Sequence, residues 1–171
     1  MEGRWDLVER AQQGDRDAFG ELFRIHHAGV HRVATARLGR ERADDATAEA
    51  FTRAWHALPR YQRTGAPFAA WLYAIARNVA IDTIRRDQRA DHDADAIDDL
   101  AVDPWPSSDD RIRLYESLAR LPEEQRLVIE LKYLVGLSNE EVAAALGKRP
   151  GAVNAQQWRA LRALERDMGE R

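Results

Sequence analysis

SNEEVAAALGKRPGAVNAQQWRAL, residues 138–161, is the stretch whose reading decides the fold. Ser138 is followed three residues later by Glu141, the spacing of a capping box. In that motif the serine hydroxyl takes the Glu141 backbone N–H, and the Glu141 carboxylate reaches back to the Ser138 backbone. A helix is thereby fixed at its start, with Val142, Ala143 and Leu146 facing inward. Gly147 supplies a left-handed turn residue, and Pro150 suits the first turn of a second helix running through Val153, Trp158 and Leu161. Small Ala143 and Ala144 let the two helices cross closely, the geometry that presents a second helix to the DNA major groove. Its outward residues are then Asn154, Ala155, Gln156, Gln157, Arg159 and Arg162, with Trp158 at the edge. Amides can read adenine, and arginine can grip phosphate or guanine. The alternative is a simple packing hairpin; cap, alanine pair, glycine turn and proline start together favour DNA binding.

Upstream of this pair, a helix from Pro122 or Glu123 to Leu134 carries Val128, Ile129 and Leu131, and a stripe of Leu114, Leu118 and Leu121 precedes it from near Asp110. The N-terminal block divides at its own punctuation. Trp5, Val8 and Ala11 give a short helix stopped by Gly14. Asp15 or Asp17 caps a second, which carries Phe19, Leu22, Phe23, Val30, Val33 and Leu38 until Gly39. A third, residues 42–58, puts Ala46, Ala50, Phe51, Ala54, Trp55 and Leu58 on one face and ends before Pro59. After the turn-rich residues 63–67, a fourth carries Phe68, Trp71, Leu72, Ile75, Val79 and Ile84 and ends in Arg85 and Arg86. Four helices sharing an apolar face make a bundle.

The net charge of −3 conceals three blocks: +3 over residues 1–86, −8 over 87–110 and +2 over 111–171. The middle block holds nine Asp, two prolines and only isolated apolar residues, so it cannot bury enough surface to offset ordering entropy. It reads as a flexible acidic linker, a solvated spacer in which Trp105, between Pro104 and Pro106, alone argues for a docked contact. The expected fold is therefore all-α: two small helical domains, 1–86 and 111–171, joined by that linker.

The chain has no cysteine, which excludes disulfides and thiolate metal sites. Its N-terminal residues lack a signal peptide's pattern and no stretch nears the ~20 apolar residues of a membrane span, so a cytoplasmic location without membrane insertion is expected. His26 and His27 face different ways on a helix, and His31, four beyond His27, has no H-E-x-x-H context; these histidines read as polar surface residues, with no metal site. No P-loop, G-x-G-x-x-G or G-x-S-x-G occurs, so no catalytic residue, cofactor or small-molecule substrate is expected.

Four ordered segments resemble one known family, the extracytoplasmic-function group of bacterial sigma factors: AQQGDRDAFGELFRIHH (11–27), RADDATAEAFTRAWHALPRYQ (42–62), FAAWLYAIARNVAIDTIRR (68–86) and the residues 121–164 that include the helix pair. The resemblance implies a factor that binds core RNA polymerase and directs initiation at promoters with two elements. It implies that Asp44, Asp45, Glu49 and Arg53 dock on the clamp of the largest polymerase subunit; physically, Asp45, Glu49 and Arg53 repeat at four-residue spacing on a polar face, which otherwise would be a solvated face with i,i+4 pairs. It further implies that the loop 60–68 with Tyr61 and Phe68, together with Arg77 and Asn78, holds a base flipped from the minus-ten element, with Arg85 and Arg86 tracking phosphates. Flipped bases need stacking and edge hydrogen bonds, which aromatic and amide groups supply. Trp71, in register with Phe68, Leu72 and Ile75, reads as core. By position, Asn154, Ala155, Gln156, Trp158, Arg159 and Arg162 face the minus-thirty-five element, an amide-led surface where relatives usually carry basic or hydroxyl residues. An anti-sigma protein is the expected regulatory partner.

Two other classes stay open on residues alone. A stand-alone helix-turn-helix regulator would bind duplex DNA without polymerase, and an interaction bundle would bind no DNA; the FAAWLYAIARN segment favours the sigma reading over both.

Overall fold

The computed structural model describes residues 3–90 and 108–169. Most of the acidic stretch, including Trp105 and Asp91, Asp93, Asp95, Asp98 and Asp99, lies outside the described residues.

The N-terminal unit is built by local signals. Helix α1 (Gly3–Gln12) breaks at Gly14, whose φ of +90° suits only glycine without strain. Helix α2 (Arg16–Leu38) starts on Asp15, whose Oδ1 accepts from the N–H groups of Asp17 and Ala18 at 3.0 Å, and ends at Gly39. Those amides, Ala18 first, and the Arg10 guanidinium hold the Asp15 carboxyl below its ordinary pKa. Helix α3 (Ala43–Ala57) runs into a 3-10 turn, Leu58–Arg60, where Pro59 ends regular helix. The buried side of α3 is mostly alanine, Ala43, Ala46, Ala50 and Ala54, so α2 and α4 approach it closely. Helix α4 (Phe68–Ala90) continues four residues past Arg86. Val8, Leu22, Phe51, Leu58, Leu72 and Val79 close the core of this bundle.

The C-terminal unit comprises α5 (Ser108–Arg120), α6 (Glu123–Ile129), α7 (Asn139–Leu146) and α8 (Pro150–Gly169). The single helix expected up to Leu134 is instead α6 followed by a π-helical turn, Glu130–Val135, closed by Gly136 at φ +90°. The reason lies in burial on both sides. Val128, Ile129, Glu130 and Leu131 are four consecutive buried residues; Ile129 packs with Leu118, Ala160 and Leu164 of its own unit, while Val128 and Leu131 face a second cluster. The helix pair follows its sequence signals: both halves of the Ser138 capping box form, Gly147 is left-handed at φ +62° and Pro150 is the first residue of α8. One detail differs. The close crossing uses Ala143 against Val153, whereas Ala144 points to solvent because its position falls a hundred degrees round the helix from the seam.

That second cluster joins the two units. Val33 of α2 and Ala70 and Tyr73 of α4 share it with Val128, Leu131, Leu137, Val142, Ala143 and Val153. At its centre Glu130, 0 % exposed, accepts through Oε2 from Arg37 Nη2 (2.7 Å), Arg37 Nε (3.1 Å) and the Tyr73 hydroxyl (2.6 Å), and through Oε1 from Arg126 Nε (2.8 Å). Arg126 also donates to Ala36 O, and Arg32 donates twice to Leu134 O. Burial, then the Glu130 charge, pushes the Tyr73 phenol pKa up; burial is the largest single influence on Arg37 and works against its charge, but Glu130, Tyr73 and Glu123 together outweigh it and the guanidinium holds its proton more firmly than usual.

Candidate polymerase and DNA interfaces

On α3 the chain turns a stripe of carboxylates outward. Asp44, Asp45 and Glu49 are exposed because Ala43, Ala46, Thr47 and Ala50 occupy the inward positions of the same turns. Arg53 pairs with Glu49 at 2.7 Å, the i,i+4 contact its spacing implies, and with Asp82 of α4 at 2.8 Å. His31 Nε2 lies 3.1 Å from Asp44 Oδ1. Beside the stripe, Arg42, Asp45, Glu49, Thr83, Arg86 and Asp87 line an open groove of about 580 Å³, with Arg42 and Asp87 paired across it.

The loop before α4 is seated on aromatics. The Tyr61 ring meets Phe68 edge-on at 5.7 Å and Trp71 at 4.8 Å, and its buried hydroxyl has no hydrogen-bond partner among the described residues. Phe68, 7 % exposed, forms the floor beneath the loop and presents no face to a base, and half-buried Trp71 packs on the core. Asn78, Arg85 and Arg86 are exposed on α4. Arg77 is not free: its Nε and Nη2 contact Glu123 Oε1 of α6 at 2.9 and 2.8 Å. Two residues of α1, Gln12 and Trp5, hold this loop, a role that the sequence reading gave to neither. Gln12 Nε2 donates to Tyr61 O (2.7 Å) and Leu58 O (3.2 Å), and the Arg63 guanidinium lies 4.3 Å over the Trp5 ring, which stacks on Tyr61. Partners some fifty residues apart leave no local signal.

On α8, Asn154, Ala155, Trp158, Arg159 and Arg162 are exposed. Trp158, at 66 %, stands on open surface and not at an edge. The amides are oriented internally: Asn139 Nδ2 donates to Asn154 and to Gln157 Oε1 (3.0 Å), Gln157 donates to the Tyr133 hydroxyl, and Gln156 to Glu124. Arg162 pairs with Glu165. Among the described residues no group of three His, Cys, Asp or Glu side chains could hold a metal; His27 stacks between His31 and Phe51. No helix of the described residues is long and apolar enough to cross a membrane.

The Sigma-70 region 2 family model matches residues 22–90, and that of Sigma-70 region 4 matches residues 111–164. The ECF RNA polymerase sigma factor SigD of Mycobacterium tuberculosis H37Rv is 38 % identical to the chain, covering 93 % of it and 81 % of SigD. The chain belongs to the ECF RNA polymerase sigma factors. Another relative, the ECF RNA polymerase sigma factor BldN of Streptomyces coelicolor, is 35 % identical over 94 % of the chain, which spans 64 % of BldN's length. Among solved structures, CnrH in complex with the cytosolic domain of CnrY superposes with a TM-score of 0.72 at 29 % identity, covering 96 % of each chain. RpoE in complex with the anti-sigma factor NepR from Bartonella quintana shares the fold, at TM-score 0.68 and 24 % identity. A sigma factor of this group directs transcription through region 2 and region 4, and the two helical units described above are those regions.

Proposed function

We propose that this sigma factor docks on the largest-subunit clamp of core RNA polymerase through the α3 stripe, captures a flipped minus-ten base at the Tyr61 loop and Asn78, and reads the minus-thirty-five element with α8. The observation that supports this division is the exposure of Asp44, Asp45 and Glu49 on α3 of region 2 while the Tyr61 loop leads into α4 and Asn78 is exposed on α4. Residues 1–86 carry docking and melting, 87–110 serve as an acidic tether and 111–171 carry upstream readout. The factor performs no catalysis of its own, works in the cytoplasm and answers to an anti-sigma protein, as the NepR complex of its structural relative illustrates for that protein.

Replacing Asp45 and Glu49 together by Lys reverses charge at the docking face and is expected to weaken core binding at least tenfold in fluorescence anisotropy. Asn78→Ala is expected to leave core binding intact and to reduce permanganate reactivity of promoter thymines, because a base-edge contact is made only after flipping. Wild-type core affinity of the double variant removes docking from α3; wild-type reactivity of Asn78→Ala removes base capture from Asn78.

A further inference from the structure

The amides of α8 are not equivalent, because three other elements hold them by different atoms. Gln156 and Gln157 are half-buried and their NH2 groups are spent, on Glu124 Oε2 of α6 (3.1 Å) and on the hydroxyl of Tyr133 in the π-helical turn (2.9 Å). Asn154, three residues before Gln157 and so on the same side of the helix, is exposed and is held by its oxygen: Asn139 Nδ2 donates to Asn154 Oδ1. The same Nδ2 donates to Gln157 Oε1 at 3.0 Å. Asn139 is the first residue of α7, so a side chain on the first helix of the pair sets amides on the second.

An amide turned over exchanges oxygen for nitrogen at the same place, and the depth of Asn139 decides which way it lies. Its Oδ1 is buried without a partner among the described residues. Turned over, Asn139 would leave two buried N–H donors unpaired in place of one acceptor, at greater cost. With Asn139 as donor, Asn154 keeps its oxygen inward and turns its NH2 group outward. In the major groove the keto bases offer acceptors, guanine O6 and N7 and thymine O4, whereas the amino bases offer donors, adenine N6 and cytosine N4. A side chain that shows NH2 alone separates the two classes, and it forgoes the paired contact with adenine N7 and N6 that a free asparagine makes.

We propose that Asn139 is a positioning residue for promoter specificity: by holding Asn154 Oδ1 it makes Asn154 a donor toward the minus-thirty-five element, which selects a keto base, guanine or thymine, where Asn154 meets the groove. The proposal rests on the upstream readout given above to α8. It explains why a buried oxygen without a partner is tolerated at Asn139, since the residue is kept for its donor.

Asn139→Asp tests the proposal, because a carboxylate accepts and cannot donate. Aspartate in the first turn of α7 suits the helix dipole and leaves the Ser138 capping box in place, so the circular dichroism is expected to be unchanged. Its oxygen takes the Asn154 NH2 group, which turns the Asn154 carbonyl outward and reverses the choice to adenine or cytosine. The added charge weakens binding to every sequence alike, so the readout is a ratio. Holoenzyme assembled from core polymerase and the full-length factor is given promoters with a randomised upstream element, and the bound promoters are sequenced. Asn154→Ala identifies the base pair concerned, as the one at which a wild-type preference disappears. At that pair the wild type is expected to enrich its base at least about fivefold, and Asn139→Ala, which lets the Asn154 amide turn freely, to enrich it under about twofold. Asn139→Asp is expected to invert the preference, with keto and amino bases exchanged between the strands. Failure to invert in Asn139→Asp, or a preference kept at full strength in Asn139→Ala, overturns the role of Asn139 and leaves upstream readout by α8 standing. A profile that Asn154→Ala leaves unchanged at every pair overturns it as well. Wild-type holoenzyme without preference anywhere in the upstream element removes readout from α8, and the proposal falls with it.

Discussion

Inside the region 2 bundle, Leu22 of α2, Leu58 of the 3-10 turn and Leu72 and Val79 of α4 share a core cluster made of apolar residues; at the seam with region 4, a carboxylate and two guanidiniums sit at similar depth. Apolar burial stabilises the bundle in proportion to area and has no competing partner in water. A buried ion network gains Coulomb energy and loses hydration in comparable amounts, so its net contribution is small while the cost of breaking it by halves is large. The bundle is thus a permanent contact, and the seam one that specifies a register without holding it tightly.

The strongest way to break this contrast is Glu130→Ala. Arg37, Arg126 and Tyr73 would face each other without the anion, at a cost of about 3–5 kcal/mol borne by the seam. Calorimetry is expected to show one unfolding transition in the wild type and two in the variant, as the units uncouple. Leu72→Ala is the counterpart, with an expected loss of about 2–5 kcal/mol and a single transition moved to lower temperature. A single transition for Glu130→Ala would show that the apolar part of the seam couples the units without the network.

A smaller effect is expected at the start of α7, which belongs to both the seam cluster and the helix pair. Ser138→Ala removes the cap acceptor for the Glu141 N–H and should cost about 1 kcal/mol in urea denaturation, with Ser138→Asp close to wild type. Gly29→Ala sharpens the comparison from the other side. A Cβ added there would lie 3.5 Å from Leu134 O, so the methyl fits, and the gain of about 0.5–1 kcal/mol in helix propensity should appear as stabilisation with the seam intact; destabilisation would mean that the seam is packed more tightly than that distance implies.

The smallest effect concerns pH. Burial raises the Glu123 carboxyl pKa, but Arg77 and Arg37 outweigh it and hold the pKa below the ordinary glutamate value. A lowered folded-state pKa contributes stability above the ordinary value, and that contribution disappears as pH falls through the lowered one. The stability difference between wild type and Glu123→Gln should therefore be constant near neutrality and shrink toward zero under acid conditions. A difference that grows on acidification would reverse the assignment of Glu123 as the stabilising anion.

What was legible in the sequence is what is decided within a few residues. Asp15, Gly39, Ser138, Gly147 and Pro150 act on their own turns, and each sits where its local chemistry places it. The carboxylate stripe of α3 was legible for the same reason, since helical period alone separates Asp45 and Glu49 from Ala46 and Ala50. Glu130 was not. Four residues after Arg126 it looks like half of a solvated pair, and Arg37 and Tyr73, ninety-three and fifty-seven positions away, make it a buried centre. Nor could spacing reveal that Gln12 braces the Tyr61 loop, that Phe68 lies beneath it, or that Arg77 is already engaged.

The π-helical turn at Glu130–Val135 makes the chain intolerant of added length there. Such a turn accommodates one residue more than the α-helix it interrupts. With that extra residue already taken up, one more inserted beside Lys132 would swing everything after it by about 100°. Leu134 and Val135 would leave Gly29, and α7 and α8 would carry their amides to a different side of region 4. Insertions in homologous chains should therefore cluster in residues 91–107 and avoid 130–135, so that the spacing between Glu130 and Ser138 has a fixed upper limit while the acidic stretch drifts.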